Sequence, residues 1–206
     1  MSKNLLIDFP GLHIYYGKIE TRFDGSTVCS HQLPKEIISN PQCSNFYHLF
    51  RSILTCLDQY LWFFEEDSFD LNPINDPEII RLTAELDNYV IEPLGYLVDQ
   101  SGFFVNNSCY IIDDWNYIFG IKKPVIALDD LVTLYQQNKF DSDFLAKVNI
   151  IFVNNDGAYW AIYTDHTYLI TQIKQNLSQF DKDDYEFKIK FLDISWQENL
   201  VNVSLG

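Results

Sequence analysis

Ile150-Ile151-Phe152-Val153-Asn154-Asn155-Asp156-Gly157-Ala158-Tyr159-Trp160-Ala161-Ile162-Tyr163 is the stretch that best indicates the fold class. Residues 149–153 form a short apolar run, which predicts a buried strand. Asn154 to Gly157 are a strong turn signal, because Asn, Asp and Gly tolerate positive φ. Residues 158–164 return as a second strand, so the stretch predicts an antiparallel hairpin.

Further strands are predicted on both sides of this hairpin. Residues 168–171 read as a third strand, and residues 185–191 alternate apolar and charged side chains. That alternation places Tyr185, Phe187, Ile189 and Phe191 on the buried face of one carboxy-terminal antiparallel sheet. Near the amino terminus, residues 12–20 and 27–29 flank the turn signal Asp24-Gly25 and predict a second hairpin.

Three helices are predicted between these strands. The first starts at the N-cap Ser44 and carries one wide apolar face, formed by Phe46, Leu49, Phe50, Ile53, Leu57, Tyr60, Leu61 and Phe64. The second starts at Asp76-Pro77-Glu78, and the third covers Asp129 to about Gln137, with Leu131, Leu134 and Tyr135 facing inward. Residues 1–206 are therefore predicted to form a single α+β domain.

The overall charge restricts the partners that this chain can have. It carries 29 acidic and 14 basic side chains, a formal net charge of −15. Such a charge repels the phosphates of nucleic acids and disfavours anionic membrane surfaces. A field of one sign attracts partners of the opposite sign, so the composition favours a basic protein partner.

The acidic residues are concentrated in one part of the chain. Residues 52–121 have a net charge of −12, with Arg81 as the one basic residue. Aromatic side chains lie among these acids, as in interface hot spots. We therefore predict a partner-binding site that comprises Glu65, Glu66, Asp67, Asp70, Asp76, Asp113, Asp114 and Trp115.

No catalytic signature is present in the sequence. We find no G-x-G-x-x-G, P-loop, G-x-S-x-G or H-E-x-x-H motif, and we predict neither an enzyme nor a cofactor. Cys29, His31, Cys43 and His48 are zinc-ligand types, but their spacing matches no common structural zinc site. We predict no bound metal, and we predict free thiols for the four cysteines.

The apolar stretch at the amino terminus is too short for a signal peptide, and no run of about 18 uncharged apolar residues occurs. The expected location is therefore the cytoplasm.

Residues 148–172, which contain the hairpin quoted above, resemble the hairpins of bacterial immunity proteins. These are the acidic cytoplasmic partners of secreted polymorphic or contact-dependent toxins, and SUKH-type members carry a similar turn and aromatic strand. The resemblance implies a stoichiometric inhibitor of a basic toxin such as a nuclease. Two alternatives stay open: an enzyme or small-ligand protein whose site forms only in three dimensions, and an acidic mimic of nucleic acid.

Overall fold

The computed structural model of the chain describes residues 8–21, 23, 27–30, 33, 37–38, 45–57, 59–64, 96–97, 117–155, 159–180 and 187–198. The strands in this part of the chain are β1 (Gly11–Thr21), β2 (Thr27–Ser30), β3 (Tyr60–Phe64), β4 (Tyr96–Leu97), β5 (Tyr117–Lys122), β6 (Ile150–Asn155), β7 (Tyr159–Thr164) and β8 (Phe187–Asp193). The helices are α1 (Asn45–Phe50), α2 (Leu54–Leu57), α3 (Leu128–Asn138), α4 (Ser142–Leu145) and α5 (Thr167–Ser178). The predicted α+β class is confirmed.

The eight strands form one sheet in which every described pair is antiparallel. The strand order is β2-β1-β7-β6-β5-β3-β4, and β8 pairs with β1 in addition. Strand β1 is long enough to pair with three strands: β7 near its start, β2 near its end, and β8 along most of its length. The first and the last described strands, β1 and β8, thereby pair with each other.

Both predicted hairpins are confirmed. Strands β6 and β7 pair from Ile150↔Thr164 to Asn155↔Tyr159, so the pairing continues up to the predicted turn. Strands β1 and β2 pair from Lys18↔Ser30 to Thr21↔Thr27. Residues 156–158 and the turn signal Asp24-Gly25 lie outside the described residues.

The alternating segment near the carboxy terminus is a strand, as predicted. In β8, Ile189 is buried, Phe191 packs against the same core, and Lys190 between them is exposed. The strand belongs to the same antiparallel sheet as the hairpin, but its described neighbour is β1. Tyr185 and the side chain of Phe187 lie outside the described residues.

The prediction of one helix from Ser44 to Phe64 is wrong in its second half. The helical part ends at Leu57, after α1 and the short α2, and residues 60–64 form β3. Tyr60 and Trp62 pack into one core cluster, whereas Leu61 and Phe63 pack into another. Aromatic residues fit a pleated surface well, and a strand covered on both faces has a continuous apolar run that periodicity alone does not distinguish from a helix.

The predicted third strand at 168–171 is also wrong, because this segment begins α5. Leu169, Ile170, Ile173 and Leu177 are buried and lie on one face of the helix. The apolar spacing continues over 12 residues, which is long for a strand and typical of a helix. Tyr168, read as a strand residue, is exposed.

The third predicted helix is confirmed as α3. Leu131 is buried, and Leu134 and Tyr135 pack against the adjacent core cluster, as expected. The helix begins after Ala127, which has a positive φ of 56°. The predicted helix at Asp76 lies outside the described residues.

The strands β1, β3, β5, β6 and β7 are covered on both faces. The first face packs against α1, α2 and α5, with Phe46, Trp62, Phe152 and Trp160 at its centre. The second face packs against α3, α4 and the residue Trp196 that follows β8. Gly120 of β5 allows close packing on the first face, because a Cβ there would collide with Ile150 and lie 2.6 Å from the Trp62 ring.

Candidate functional site

The predicted partner-binding residues lie outside the described part of the chain. This applies to all eight: Glu65, Glu66, Asp67, Asp70, Asp76, Asp113, Asp114 and Trp115. Their flanking strands are described. Strand β3 ends at Phe64, β4 begins at Tyr96 beside Phe63, and β5 begins at Tyr117. The described residues Phe64, Tyr96 and Tyr117 therefore lie at one end of the sheet.

A cluster of one histidine and four tyrosines lies on the second face of the sheet. We name it the tyrosine cluster, and it consists of His13, Tyr15, Tyr117, Tyr159 and Tyr163. The strand register explains its centre: His13 pairs with Ala161, whose small side chain leaves room for the imidazole between the two flanking tyrosines of β7. The His13 ring stacks on Tyr159 at 4.4 Å, and its Nε2 lies 2.5 Å from the Tyr163 hydroxyl.

Burial fixes the direction of the hydrogen bonds around His13. Burial lowers its pKa to about 4, so the imidazole is neutral at pH 7 and has one donor and one acceptor nitrogen. Tyr163 is fully buried, and its hydroxyl has one partner among the described residues, His13 Nε2. The hydroxyl has to donate there, because its own proton would otherwise lack an acceptor, at a cost of about 1–3 kcal/mol.

The remaining proton of the imidazole is therefore on Nδ1. It faces the Tyr15 hydroxyl at 3.4 Å, a long contact in which Tyr15 accepts. The hydroxyl hydrogen of Tyr15 is left to donate away from His13. Because Tyr15 is only half-buried, this donor lies at the edge of the cluster.

The four tyrosines stay protonated over the ordinary pH range. Burial raises the pKa of Tyr15, Tyr117, Tyr159 and Tyr163, and nearby phenol groups raise it further in the last three. Each phenolate would be desolvated, and its neighbours' oxygens would repel it. The cluster therefore presents hydroxyl groups and no negative charge.

Tyr117 links the cluster to a second group of aromatic residues. Its ring lies 6.3 Å from the Trp196 ring at a right angle and 5.1 Å from Phe140. The Lys139 ammonium lies 5.8 Å from the centre of the Tyr117 ring, and burial lowers the Lys139 pKa. The indole nitrogen of Trp196 is buried and has no hydrogen-bond acceptor among the described residues.

The sequence interpretation missed the tyrosine cluster. It predicted a strand at residues 158–164 but no site on that strand, and His13 was not among the predicted site residues. The alternation of Tyr159, Ala161 and Tyr163 places both tyrosines on one face, which is a usable signal. The pairing of β1 with β7, which brings His13 between them, has no local signature in the sequence.

The residues considered for zinc are mostly outside the described ranges. His48 is described, and its side chain is buried in α1; the side chains of Cys29, His31 and Cys43 are not described. Within the described ranges, no three His, Cys, Asp or Glu side chains are grouped so that they could hold a metal ion. Cys56 is a free thiol. The prediction of no bound zinc stays a prediction.

The helices in the described part of the chain are all too short or too polar to cross a membrane. Comparison of the chain with protein-family models, with curated proteins and with solved structures finds no match.

Proposed function

We propose that this chain is a cytoplasmic bacterial immunity protein that binds and neutralises a basic toxin, such as a nuclease, in a stoichiometric complex. The observation that carries the proposal is the separation of charge within the molecule. Residues 52–121 have a net charge of −12, whereas residues 1–51 and 122–206 have net charges of +1 and −4.

The composition of these segments supports a binding role for them. Residues 65–95 carry nine acidic side chains and one basic one, Arg81, and residues 98–116 carry three acidic side chains and none that is basic. Solubility alone does not require charge of one sign, because mixed signs give favourable pairs and avoid self-repulsion. A surface matched to a basic partner accounts for the excess.

The points where the segments join the sheet also support the proposal. Phe64, Tyr96 and Tyr117, which flank the acidic segments in sequence, lie at the same end of the sheet. Half-buried Tyr117 and exposed Phe140 lie at this end too. Aromatic side chains beside charges of one sign are typical of interface hot spots.

The test uses the basic toxin domain that the proposal expects to be encoded immediately upstream of this chain's gene. The variant E65K/E66K/D67K reverses three acids of the first segment. The control variant D129K/D130K/D165K makes the same change in net charge through exposed residues of α3 and of the loop after β7, at the opposite end of the sheet. Association rates are measured at low and physiological salt by stopped-flow mixing.

We expect the first variant to associate on the order of tenfold more slowly than the parent at low salt, and the control to change by less than about threefold. The difference in association rate between the first variant and the parent should be smaller at physiological salt, where the Debye length is about 8 Å. Equal effects of the two variants would mean that only total charge matters. Absence of a one-to-one complex with the toxin domain would contradict the proposal as a whole.

A further inference from the structure

The buried Tyr163 hydroxyl begins a chain of polar groups that leads to the edge of the tyrosine cluster. It donates to Nε2 of the neutral His13 imidazole, whose own proton on Nδ1 lies toward the Tyr15 hydroxyl, at a nitrogen–oxygen distance of 3.4 Å. Tyr15 is half-buried and donates away from His13. A proton can therefore pass from Tyr163 to Nε2 while another leaves Nδ1 for Tyr15, and the imidazole stays neutral.

The buried position of this pair disfavours proton transfer that leaves a charge behind. Burial raises the pKa of Tyr163, so its phenolate does not form in the ordinary pH range. Burial also lowers the pKa of His13 to about 4, so the imidazolium is disfavoured as well. A neutral tyrosyl radical beside a neutral imidazole carries no charge, so loss of an electron together with the proton avoids both costs.

A row of aromatic rings provides a path for that electron. The centre of the Trp196 ring lies 5.1 Å from that of Tyr163 and 6.3 Å from that of the half-buried Tyr117. The indole N–H of Trp196 is buried, and no acceptor for it lies within the described ranges. An oxidised Trp196 therefore keeps its proton and its positive charge, and it takes an electron from Tyr163, which has a base in place.

We propose that Tyr163 is a redox-active tyrosine, which a one-electron oxidant in solution converts to a neutral radical by way of Tyr117 and Trp196. One electron passes from Tyr163 to the oxidant, which is thereby reduced. The O–H bond of Tyr163 breaks and an N–H bond forms at His13 Nε2. The Nδ1 proton goes to the Tyr15 hydroxyl, which releases its own proton to water.

This activity goes beyond the proposed toxin binding, which depends on the acidic segments. It also accounts for the composition of the cluster. A buried imidazole and hydroxyl contribute little net stability, but they are the groups that a tyrosine needs to lose a proton with its electron. Because Tyr163 is fully buried, its radical is also shielded from coupling with radicals on other molecules.

The test is flash photolysis of the full chain with tris(bipyridine)ruthenium(II) and an irreversible electron acceptor, which together generate a one-electron oxidant. Electron paramagnetic resonance and transient absorption follow the tyrosyl radicals. Exposed tyrosines give radicals that decay quickly by coupling, so the slowly decaying signal is the one assigned to Tyr163. Each variant is first checked for cooperative unfolding.

We expect the parent to give a slowly decaying signal that Y163F lacks. H13L should form this radical about tenfold more slowly or less readily still, because the variant removes the base. W196F should slow its formation without abolishing it, since the variant interrupts the electron path alone. The matched control Y168F, which removes the hydroxyl of an exposed tyrosine, should behave like the parent.

Two further measurements leave the buried pair in place and test the proton path. The parent should form the radical more slowly in D₂O than in H₂O, and Y15F should form it more slowly than the parent, because both changes act on the relay through His13.

The proposal is overturned by a parent without a slowly decaying signal, or by a signal of parent strength in Y163F. It is overturned as well by a rate of formation that neither D₂O nor Y15F changes. Each of these results leaves the toxin-binding proposal standing, since none of the variants alters residues 65–116.

Discussion

The two faces of the sheet differ most where β1 meets β7. On the first face these strands present Leu12, Ile14, Trp160 and Ile162, all buried among apolar side chains. On the second face the intervening residues are His13 and Tyr15 of β1 and Tyr159 and Tyr163 of β7. The same two strands thus carry an apolar core on one side and a hydrogen-bonded polar cluster on the other.

This difference indicates that the two faces contribute differently to folding stability where β1 meets β7. Burial of apolar surface is the main source of folding stability, and at this point the first face supplies it through mainly apolar side chains. Burying hydroxyls and an imidazole contributes little net stability even when they are paired, and it is costly when they are not. We infer that, where β1 meets β7, the side chains of the first face contribute more to stability than the tyrosine cluster of the second face does.

The largest expected effect comes from the centre of the first face. Phe152 is fully buried and its ring lies 4.8 Å from that of Phe50 and 5.1 Å from that of Phe46. Phe152→Ala should lower the free energy of unfolding by about 3–5 kcal/mol, because it leaves a cavity between these rings. Chemical denaturation measures the loss. Phe140→Ala, which truncates an exposed ring on the other side of the sheet, should cost less than about 1 kcal/mol.

A smaller effect should come from the titration of His13. Its folded pKa of about 4 lies below the unfolded value of about 6.5, so the unfolded state binds the proton first as the pH falls. Neutral His13 contributes fully to the stability of the folded state above pH 6.5, and this contribution is lost progressively as the pH falls to about 4. The loss amounts to about 3 kcal/mol.

The measurement for His13 compares the parent with His13→Gln between pH 7 and pH 4. Both proteins share every other titrating group, so the difference between their stability curves isolates this residue. The parent should lose about 3 kcal/mol more than the variant over this range. Parallel curves for the two proteins would show that the buried imidazole does not control acid stability.

Local patterns in the sequence predicted the parts of the fold that depend on neighbouring residues. The turn residues Asn154 and Asn155 lie at the end of β6, and the hairpin follows the predicted register. Strand β8 shows the predicted burial of Ile189 and exposure of Lys190. In these segments the turn residues and the spacing of apolar residues indicate the same structure, and the tertiary contacts favour that structure too.

The errors occurred where one apolar pattern fits two structures. Residues 60–64 are apolar throughout because both faces of β3 are covered, and the choice of strand depends on pairing with β5. The segment of residues 168–171 is too short for its apolar pattern alone to distinguish a strand from a helix. The tyrosine cluster was missed for a related reason, since His13 and Tyr163 are 150 residues apart and only sheet pairing brings them together.

The measurement that tests the difference between the faces most directly is a double-mutant cycle on His13 and Tyr163. Tyr163→Phe leaves His13 Nε2 without a donor, and His13→Leu leaves the buried Tyr163 hydroxyl without an acceptor. Each single change should cost about 1–3 kcal/mol of unfolding free energy. The double variant removes both groups, so nothing polar is left unpaired at this contact.

Our account predicts that the free energy of unfolding of the double variant lies within about 1 kcal/mol of that of the parent, well short of the summed losses of the single changes. That result would mean that the fold does not need the polar pair. A double variant that loses the full sum, roughly 2–6 kcal/mol, would contradict the account, because the His13–Tyr163 pair would then itself stabilise the fold.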